Sequence, residues 1–437
     1  MSATDPHHAT HQALHRTIEA VWRIESARVI AGLTRLTRDV GLAEDLAQDA
    51  LVAALEQWPQ SGVPDNPAAW LTATAKRRAI DLFRHNAVAK RKHEELAREL
   101  EALEQTSPDL DSTLDNTIGD DLLRLVFIAC HPILPAESRA ALTLRLLGGL
   151  TTDEIARAFL TPEPTIAQRI VRAKRTLADK HIPFEVPRGP ELAARLSSVL
   201  EVIYLIFNEG YSATAGDDLM RPTLCEDALR LGRILAELTP TEPEVHGLVA
   251  LMEIQASRTR ARVNSSGEPV LLFDQNRSQW DQLLIHRGLT AIDRAHKIKT
   301  TLVNTSRGAY LLQAEIAACH ARARTPSETD WPRIVALYTE LAQLTPSPVI
   351  ELNRAVAVSM AHGPQAGLTL VDALASEPSL ARYHLLPSVR ADLLYKLGRH
   401  PEARTEFKRA AALTRNTRER ALLLARAASC ETDPTNP

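Results

Sequence analysis

Apolar residues recur every three or four positions along most of the chain, which is the spacing of one face of an α-helix. The clearest stripe predicts a helix over residues 68–82, with a buried face made of Ala68, Leu71, Ala75, Ala79 and Leu82. Aromatic residues make up only 4% of the sequence, whereas alanine, leucine and arginine, which favour helices, are abundant. The pattern therefore predicts an all-α protein.

Three polar segments interrupt this helical pattern. The proline-rich stretches at residues 58–67 and 181–190 predict a loop and a domain boundary, and the acidic stretch 101–121 predicts a flexible linker. A chain of 437 residues has room for about three domains. We therefore expect a first domain over residues 10–100, the linker over 101–121, a second domain over 122–182 and a third over 191–430.

Two basic clusters stand out in a chain whose net charge is only −3. Eight basic residues accompany three acidic ones between Lys76 and Arg98, and five accompany one between Thr165 and Lys180. Such clusters are typical of surfaces that bind polyanions, although either one alone would also suit a solvated helix face. Together they indicate two contacts with nucleic acid.

The second basic cluster lies in a predicted helix-turn-helix. Thr151 and Glu154 form a T-x-x-E capping box that starts a short helix, and Thr161–Glu163 is expected to cap a second one. The buried stripe of the second helix is expected to be Ile166, Ile170, Ala173 and Leu177. Its other face is polar and basic, as docking in the DNA major groove requires, and a helical hairpin within a bundle is the alternative.

The first basic cluster follows an acidic helix and a loop. Asn66 is expected to cap the basic helix and Pro67 to occupy its first turn. The acidic helix should pack inward through Leu42, Leu46, Val52 and Ala53. Its exposed patch is expected to be Glu44, Asp45, Gln48 and Asp49, which would suit a basic protein partner.

Two dense motifs in this order resemble those of the extracytoplasmic-function (ECF) class of bacterial RNA polymerase sigma factors. The motifs are GLAEDLAQDAL at Gly41–Leu51 and AWLTATAKRRAIDLFR at Ala69–Arg84, followed by the block Leu122–Lys180. The resemblance covers about 180 residues. It implies a subunit that binds core RNA polymerase through the β′ clamp helices and the β flap, and promoter DNA as a duplex and as the melted −10 strand.

The resemblance also assigns expected roles to individual residues. Those expected to bind core polymerase are Leu42, Glu44, Asp45, Gln48 and Asp49. Those expected at the −10 element are Asn66, Lys76, Arg77, Arg78, Asp81 and Arg84. Those expected at the −35 element are Thr165, Gln168, Arg169, Arg172, Lys174 and Arg175.

The long third block suggests helical repeats. Arg390–Leu413 matches the tetratricopeptide (TPR) pattern, with Ala403, Phe407 and Ala410 at its packing positions, and a Leu-Thr-Pro segment near Leu238 recurs 106 residues later near Leu344. Stacked helix pairs offer a concave surface, so a protein or peptide ligand is expected. Val202–Thr214 resembles the start of the regulatory extension in a minority of these sigma factors, and Gly210 is expected to cap a helix there.

Other features argue against several functional classes. The block after residue 190 shows no catalytic motif, and the four cysteines are too scattered for a zinc ribbon or disulfide framework, which suits a reducing cytosol. His7, His11 and His15 share a helical spacing but are expected to be solvated rather than to bind metal. We therefore expect no enzymatic activity, cofactor, metal or membrane contact, and a cytoplasmic location.

The sequence thus predicts a sigma factor that directs promoter-specific initiation under the control of its C-terminal extension. A one-component helix-turn-helix regulator with a TPR-like sensor is the alternative. The acidic motif at Gly41–Leu51 favours the sigma factor, because such a regulator needs no polymerase-docking helix. A repeat scaffold without a DNA role would leave both basic helices unexplained.

Overall fold

The computed structural model describes residues 6–87, 121–159, 161–213, 215–301 and 307–431. The expected linker lies outside these residues apart from Asp121, as do the basic residues from Lys90 to Arg98. The side chains of His7 and His11 are also outside the described part. The described residues form α-helices, labelled α1 to α18 in chain order, and two strands of two residues each, so the all-α prediction is confirmed.

The described residues up to Ile203 form the first of two compact units. The helices of this unit are α1 (Pro6–Thr37), α2 (Val40–Ser61), α3 (Pro67–Ala87), α4 (residues 121–129), α5 (Ala136–Leu146), α6 (Thr152–Ala158), α7 (Glu163–Asp179) and the first part of α8 (Pro190–Tyr211). The helices α1, α2 and α3 pack against one another in a three-helix bundle. Its core includes Ile30, Ala47, Trp58 and Leu71, each at most 1% exposed.

The acidic helix α2 begins at a side-chain cap and ends later than expected. Asp39 Oδ1 accepts hydrogen bonds from the backbone N–H groups of Gly41 and Leu42, at 2.7 and 3.1 Å. The helix then continues through Pro59 to Ser61, so the predicted loop is confined to residues 62–66. Pro59 lies in the last turn, where it donates no hydrogen bond to the carbonyl four residues earlier, and Gly62, at φ 84°, ends the helix.

Two residues predicted to pack inward face outward instead. Val52 in α2 is 49% exposed, because Ala50, Ala53 and Ala54 carry the buried stripe. Leu82 in α3 is 36% exposed, because Phe83 fills the core one position later. The rest of the stripes is as predicted, because Leu46 and Ala53 in α2 and Leu71, Ala75 and Ala79 in α3 are buried.

The described residues from Tyr204 onward form the second unit. Its helices after α8 are α9 (Pro222–Leu238), α10 (Pro243–Ala256), α11 (Gln282–Thr301), α12 (Ala309–Arg322), α13 (Trp331–Leu344), α14 (Pro348–His362), α15 (Pro364–Ala373), α16 (Leu385–Lys396), α17 (His400–Leu413) and α18 (Thr417–Ser429). Strand β1 (Ala215–Gly216) pairs in parallel with β2 (Arg415–Asn416). The buried Asn416 amide donates to the carbonyl oxygens of Ala213 and Asp218, so the start of this unit is tied to its end.

The repeat signals correspond to consecutive helix pairs. The two Leu-Thr-Pro segments join α9 to α10 and α13 to α14, and in each the threonine N–H donates to a carbonyl four residues earlier at 2.8 Å. The TPR-like stretch forms the pair α16–α17, joined through Gly398 at φ 74°. Ala403, Phe407 and Ala410 are fully buried, as that pattern predicts.

Gly210 does not cap α8, because the helix continues to Tyr211. A Cβ atom at Gly210 would lie 2.7 Å from the backbone nitrogen of Cys225 in α9. Glycine is therefore required for the close approach of two helices and not for a left-handed turn. The neighbouring Glu209 forms a half-buried ion pair with Arg221, which joins the same two segments.

Candidate nucleic-acid interface

The helix-turn-helix forms as the sequence predicts at its first helix. Thr151 Oγ1 accepts from the Glu154 N–H at 3.1 Å, and Glu154 Oε2 accepts from the Thr151 N–H at 2.8 Å. Burial raises the pKa of Glu154, but the Thr151 hydrogen bonds and the Arg23 guanidinium outweigh it and hold the pKa below its usual range. The carboxylate is therefore charged at neutral pH and fixes the start of α6.

The second helix, α7, has the predicted buried stripe but a different cap. Its buried residues are Ile166, Ile170, Ala173 and Leu177, as expected. The N-cap is Pro162, which offers no side-chain acceptor, and Thr161 Oγ1 donates instead to the Phe159 carbonyl. Pro164 lies in the first turn, where its missing N–H costs no helical hydrogen bond.

The six residues of α7 expected at the −35 element fall into two groups. Four are exposed on the solvent side of the helix: Thr165, Gln168, Arg172 and Arg175. The other two are held within the chain, because Arg169 pairs with Glu137 of α5 and Lys174 pairs with Glu44 of α2. The exposed group matches what major-groove contact requires, with a polar residue early in the helix and cations later.

The basic helix α3 starts as predicted. Asn66 Oδ1 accepts from the Ala69 N–H at 3.0 Å, and Pro67 is the first helical residue. Asn66, Arg77, Asp81 and Arg84 are exposed, whereas Lys76 and Arg78 are half-buried. The spacing of Arg77, Asp81 and Arg84 places them on one face, so α3 presents two guanidinium groups beside a carboxylate.

The residues of the acidic patch of α2 differ in how far their side chains are exposed to solvent. Asp45 and Asp49 have side chains 74% and 58% exposed, and Leu42 and Gln48 are half-buried. Glu44, by contrast, is only 2% exposed. Asp49 also lies 3.4 Å from Arg78, which joins the acidic helix to the basic one.

The partners of Glu44 include a residue that the sequence does not single out. Arg145 of α5 donates through Nε to Glu44 Oε1 at 2.6 Å and through a terminal nitrogen to the Leu150 carbonyl at 3.1 Å. Lys174 contacts the other carboxylate oxygen, and Gln48 donates to Oε1. Because 101 residues separate Glu44 from Arg145, no local pattern could have revealed this pair.

The second unit contains a polar pocket of about 370 Å³ between α11, α12 and α13. Its lining includes four carboxylate residues, Asp293, Glu315, Glu328 and Asp330, together with His296, Cys319, Arg322 and Arg333. Glu315 is buried there, and its Oε2 contacts Arg307 and Arg333 at 2.8 and 3.1 Å. Acidic side chains therefore outnumber basic ones around the opening.

The polar segment Phe273–Asp281 of the second unit has a structural role. Arg277 donates to the carbonyl oxygens of His320 and Ala323, which end α12, and its guanidinium lies 5.0 Å from the centre of the Trp280 ring. Trp280 is buried, and Phe273 stacks on Trp331. These contacts hold the segment against α12 and α13.

Known proteins resemble the chain in three places. Family models match Sigma-70 region 2 at residues 23–88, Sigma-70 region 4 at 124–177, and a family of unknown function, DUF6596, at 195–296. The first two models cover the acidic and basic helices α2 and α3 and the helix-turn-helix. The third covers the start of the extension, including Gly210.

Two relatives show how far the sequence similarity extends along the chain. An uncharacterized protein of Rhizobium meliloti (strain 1021) is 43% identical over 401 residues, which is 91% of this chain and 92% of that protein. The ECF RNA polymerase sigma factor SigK of Mycobacterium ulcerans (strain Agy99) is 30% identical over 156 residues, 34% of this chain and 78% of that protein. No solved structure matches.

Among the described residues, no helix combines the length and apolar character needed to cross a membrane. The acidic helix α2 and the basic helix α3 lie in region 2 and are followed by the helix-turn-helix in region 4, which is the order of a sigma factor. The chain belongs to the ECF family of RNA polymerase sigma factors, carries a long C-terminal extension and directs transcription initiation.

Proposed function

We propose that α2 binds the clamp helices of the polymerase β′ subunit through Leu42, Glu44, Asp45, Gln48 and Asp49. The observation that supports this docking face is the exposed pair Asp45 and Asp49, which lie one turn apart on an alanine-rich helix. Carboxylates on an interface rim steer association with a basic partner. The flap of the β subunit would bind the second domain, residues 122–182.

The promoter contacts that we propose involve two helices. Helix α3, through Asn66, Lys76, Arg77, Arg78, Asp81 and Arg84, would engage the −10 element and its melted strand, with the loop at residues 62–66 beside the unpaired bases. Helix α7 would engage the −35 element through its exposed Thr165, Gln168, Arg172 and Arg175, with Arg169 and Lys174 nearby. Arginines at these positions would bind phosphates, so affinity should fall steeply with salt.

The extension is proposed to control when initiation occurs, in place of a separate inhibitor. The acidic pocket beside Glu315 supports a ligand with a basic group, such as a lysine or arginine side chain of a peptide. A fluorescent basic peptide should bind the full chain more tightly than an acidic peptide of equal length. Asp293→Asn should reduce that preference, and equal binding of both peptides would count against the pocket.

We also propose that the chain acts in the cytoplasm as a dissociable subunit without a catalytic step of its own. The one-component regulator is disfavoured, because region 2 has no role in such a protein. Co-elution with purified core polymerase on size exclusion distinguishes the two. A sigma factor forms a stable complex in the absence of promoter DNA, whereas a one-component regulator elutes separately.

A further inference from the structure

The helices of region 2 and those of region 4 contact one another at three places. Arg23 of α1 lies 2.7 Å from Glu154 of α6, and Arg35 of α1 lies 3.2 Å from Asp121. The third place is the cluster of Glu44 with Arg145 and Lys174. We call these three groups together the region 2–4 interface.

Glu44 is at the centre of the third contact, and its carboxylate is buried there. Its side chain is 3% exposed, with Arg145 Nε at 2.6 Å and the Lys174 ammonium against the other oxygen. A carboxylate buried to this degree is strongly destabilised unless cations accompany it. Both cations come from region 4, so Glu44 is stable in this position only while region 4 is in place.

The backbones also fit closely at this interface. Gly149, in the turn before α6, has φ of 70°, and a Cβ atom there would lie 3.0 Å from Ser26 Oγ and 3.3 Å from the Arg23 Cα. A Cβ atom at Gly41 would lie 3.6 Å from the Lys174 side chain. Gly149 therefore allows the turn before α6 to approach α1 closely, whereas the distance at Gly41 is that of an ordinary van der Waals contact.

We propose that the acidic face of α2 and the Lys174 side of α7 are docking surfaces for each other, and that this contact blocks core polymerase until it opens. The inference rests on the proposed function, in which the same face of α2 binds polymerase. Glu44 cannot face the clamp helices while Arg145 and Lys174 cover it. Core polymerase and region 4 thus compete for one carboxylate.

Competition of this kind has a simple quantitative consequence. If only a fraction of the molecules is open, the apparent dissociation constant for core polymerase equals the intrinsic constant divided by that fraction. A chain that is open one time in ten would bind about tenfold more weakly than a chain held open. Loosening the interface should therefore strengthen polymerase binding, which is unusual for the removal of a charged surface residue.

The test uses Lys174→Met in the full chain, with Arg157→Met as its matched control. Methionine keeps the aliphatic part of the side chain, which lies beside Gly41, but removes the positive charge that Lys174 places next to Glu44. Arg157 is in α6 of the same region, has a side chain 70% exposed and pairs with Asp153 one helical turn away, at 2.9 Å. Glu44→Gln serves as a second opening variant from the other side of the pair.

The first readout is the distance between spin labels at Gln57→Cys in α2 and Lys180→Cys after α7, with Cys319 and Cys430 replaced by serine. We expect one narrow distribution in the parent chain and in Arg157→Met, and a broader, longer one in Lys174→Met and Glu44→Gln. Identical distributions in all four proteins, or a broad one in the parent chain, would overturn the interface.

The second readout is the affinity for core polymerase. Lys174→Met should bind several-fold more tightly than Arg157→Met, and unchanged affinity despite an opened distance would overturn the block. Failure of the proposed docking face would show differently. In that case the double variant Asp45→Asn/Asp49→Asn would bind core polymerase as the parent chain does, whatever the label distances are.

Discussion

Removing the two exposed carboxylates of α2 tests the polymerase-docking face most simply. The change is Asp45→Asn together with Asp49→Asn, which keeps side-chain size and removes two charges. Their partners in the free chain are weak, because Asp45 lies 3.7 Å from Lys174 and Asp49 lies 3.4 Å from Arg78. Exposed pairs like these contribute about 0–1 kcal/mol each, so the variant should fold normally.

The expected loss of polymerase affinity is much larger than the loss of stability. A close charge pair across an interface contributes about 1.5 kcal/mol or more. Two such pairs amount to roughly 3 kcal/mol, or about a hundredfold in dissociation constant. A loss of about tenfold is expected when salt screens the exposed part of the attraction.

The assay is fluorescence anisotropy of the labelled chain titrated with core polymerase at two salt concentrations. The matched control is Glu19→Gln with Glu185→Gln, which removes two exposed carboxylates elsewhere in the first unit. The control should bind as the parent chain does. If the double aspartate variant binds within a factor of two of its control, the docking face is wrong.

Three further predictions concern DNA binding and stability. Arg172→Ala should weaken binding to −35 duplexes and leave the binding of core polymerase unchanged. The loss of one phosphate contact should also lower the slope of log affinity against log salt by about 0.9, which fluorescence anisotropy across a salt series would measure. Gly210→Ala should destabilise the chain by about 1–3 kcal/mol, because its methyl group meets the α9 backbone, and an unchanged melting temperature would refute that contact. Burial, and then the charges of Arg258 and Arg277, lower the pKa of His320 to about 4. The unfolded state therefore binds the proton more readily, and the stability of the fold should fall as the pH drops from 6.5 towards 4. His320→Phe should flatten that decline, as measured by calorimetry at pH 7 and pH 5.

The design of truncations also depends on α8. A chain ending near Pro187 would separate the sigma regions from the extension, but Arg195 and Ser198 of α8 donate to the carbonyl oxygens of Phe127 and Cys130 at 2.9 and 2.6 Å. Leu200 is also buried in this part of α8. Substitutions in the full chain are therefore cleaner tests of the extension than its removal.

Local chemistry made several features predictable from the sequence. The capping box at Thr151, the cap at Asn66 and the stripe of α7 each depend on residues within a few positions of one another, so sequence spacing determines them. Helical packing at Ala403 and Phe407 followed from the same kind of periodicity. The order of the two sigma motifs then indicated which helices act together.

Features that depend on distant partners were not predictable. Helical periodicity identified an acidic patch on α2, but not that Glu44 would be buried under Arg145 and Lys174. From the sequence, Gly210 stands where a glycine would cap a helix, and only the close approach of α9 shows that it has another role. Pro59 is compatible with either a loop or a last helical turn, and the burial of Trp58 selects the helix.

Promoter-directed transcription with purified core RNA polymerase is the most direct test of the account. The templates would be genomic fragments, and the full chain would be compared with Asp45→Asn/Asp49→Asn and with Arg172→Ala. We expect specific transcripts only when the chain is added, and fewer with either variant. Absence of transcripts, together with tight sequence-specific DNA binding in the absence of polymerase, would contradict the account and favour a one-component regulator.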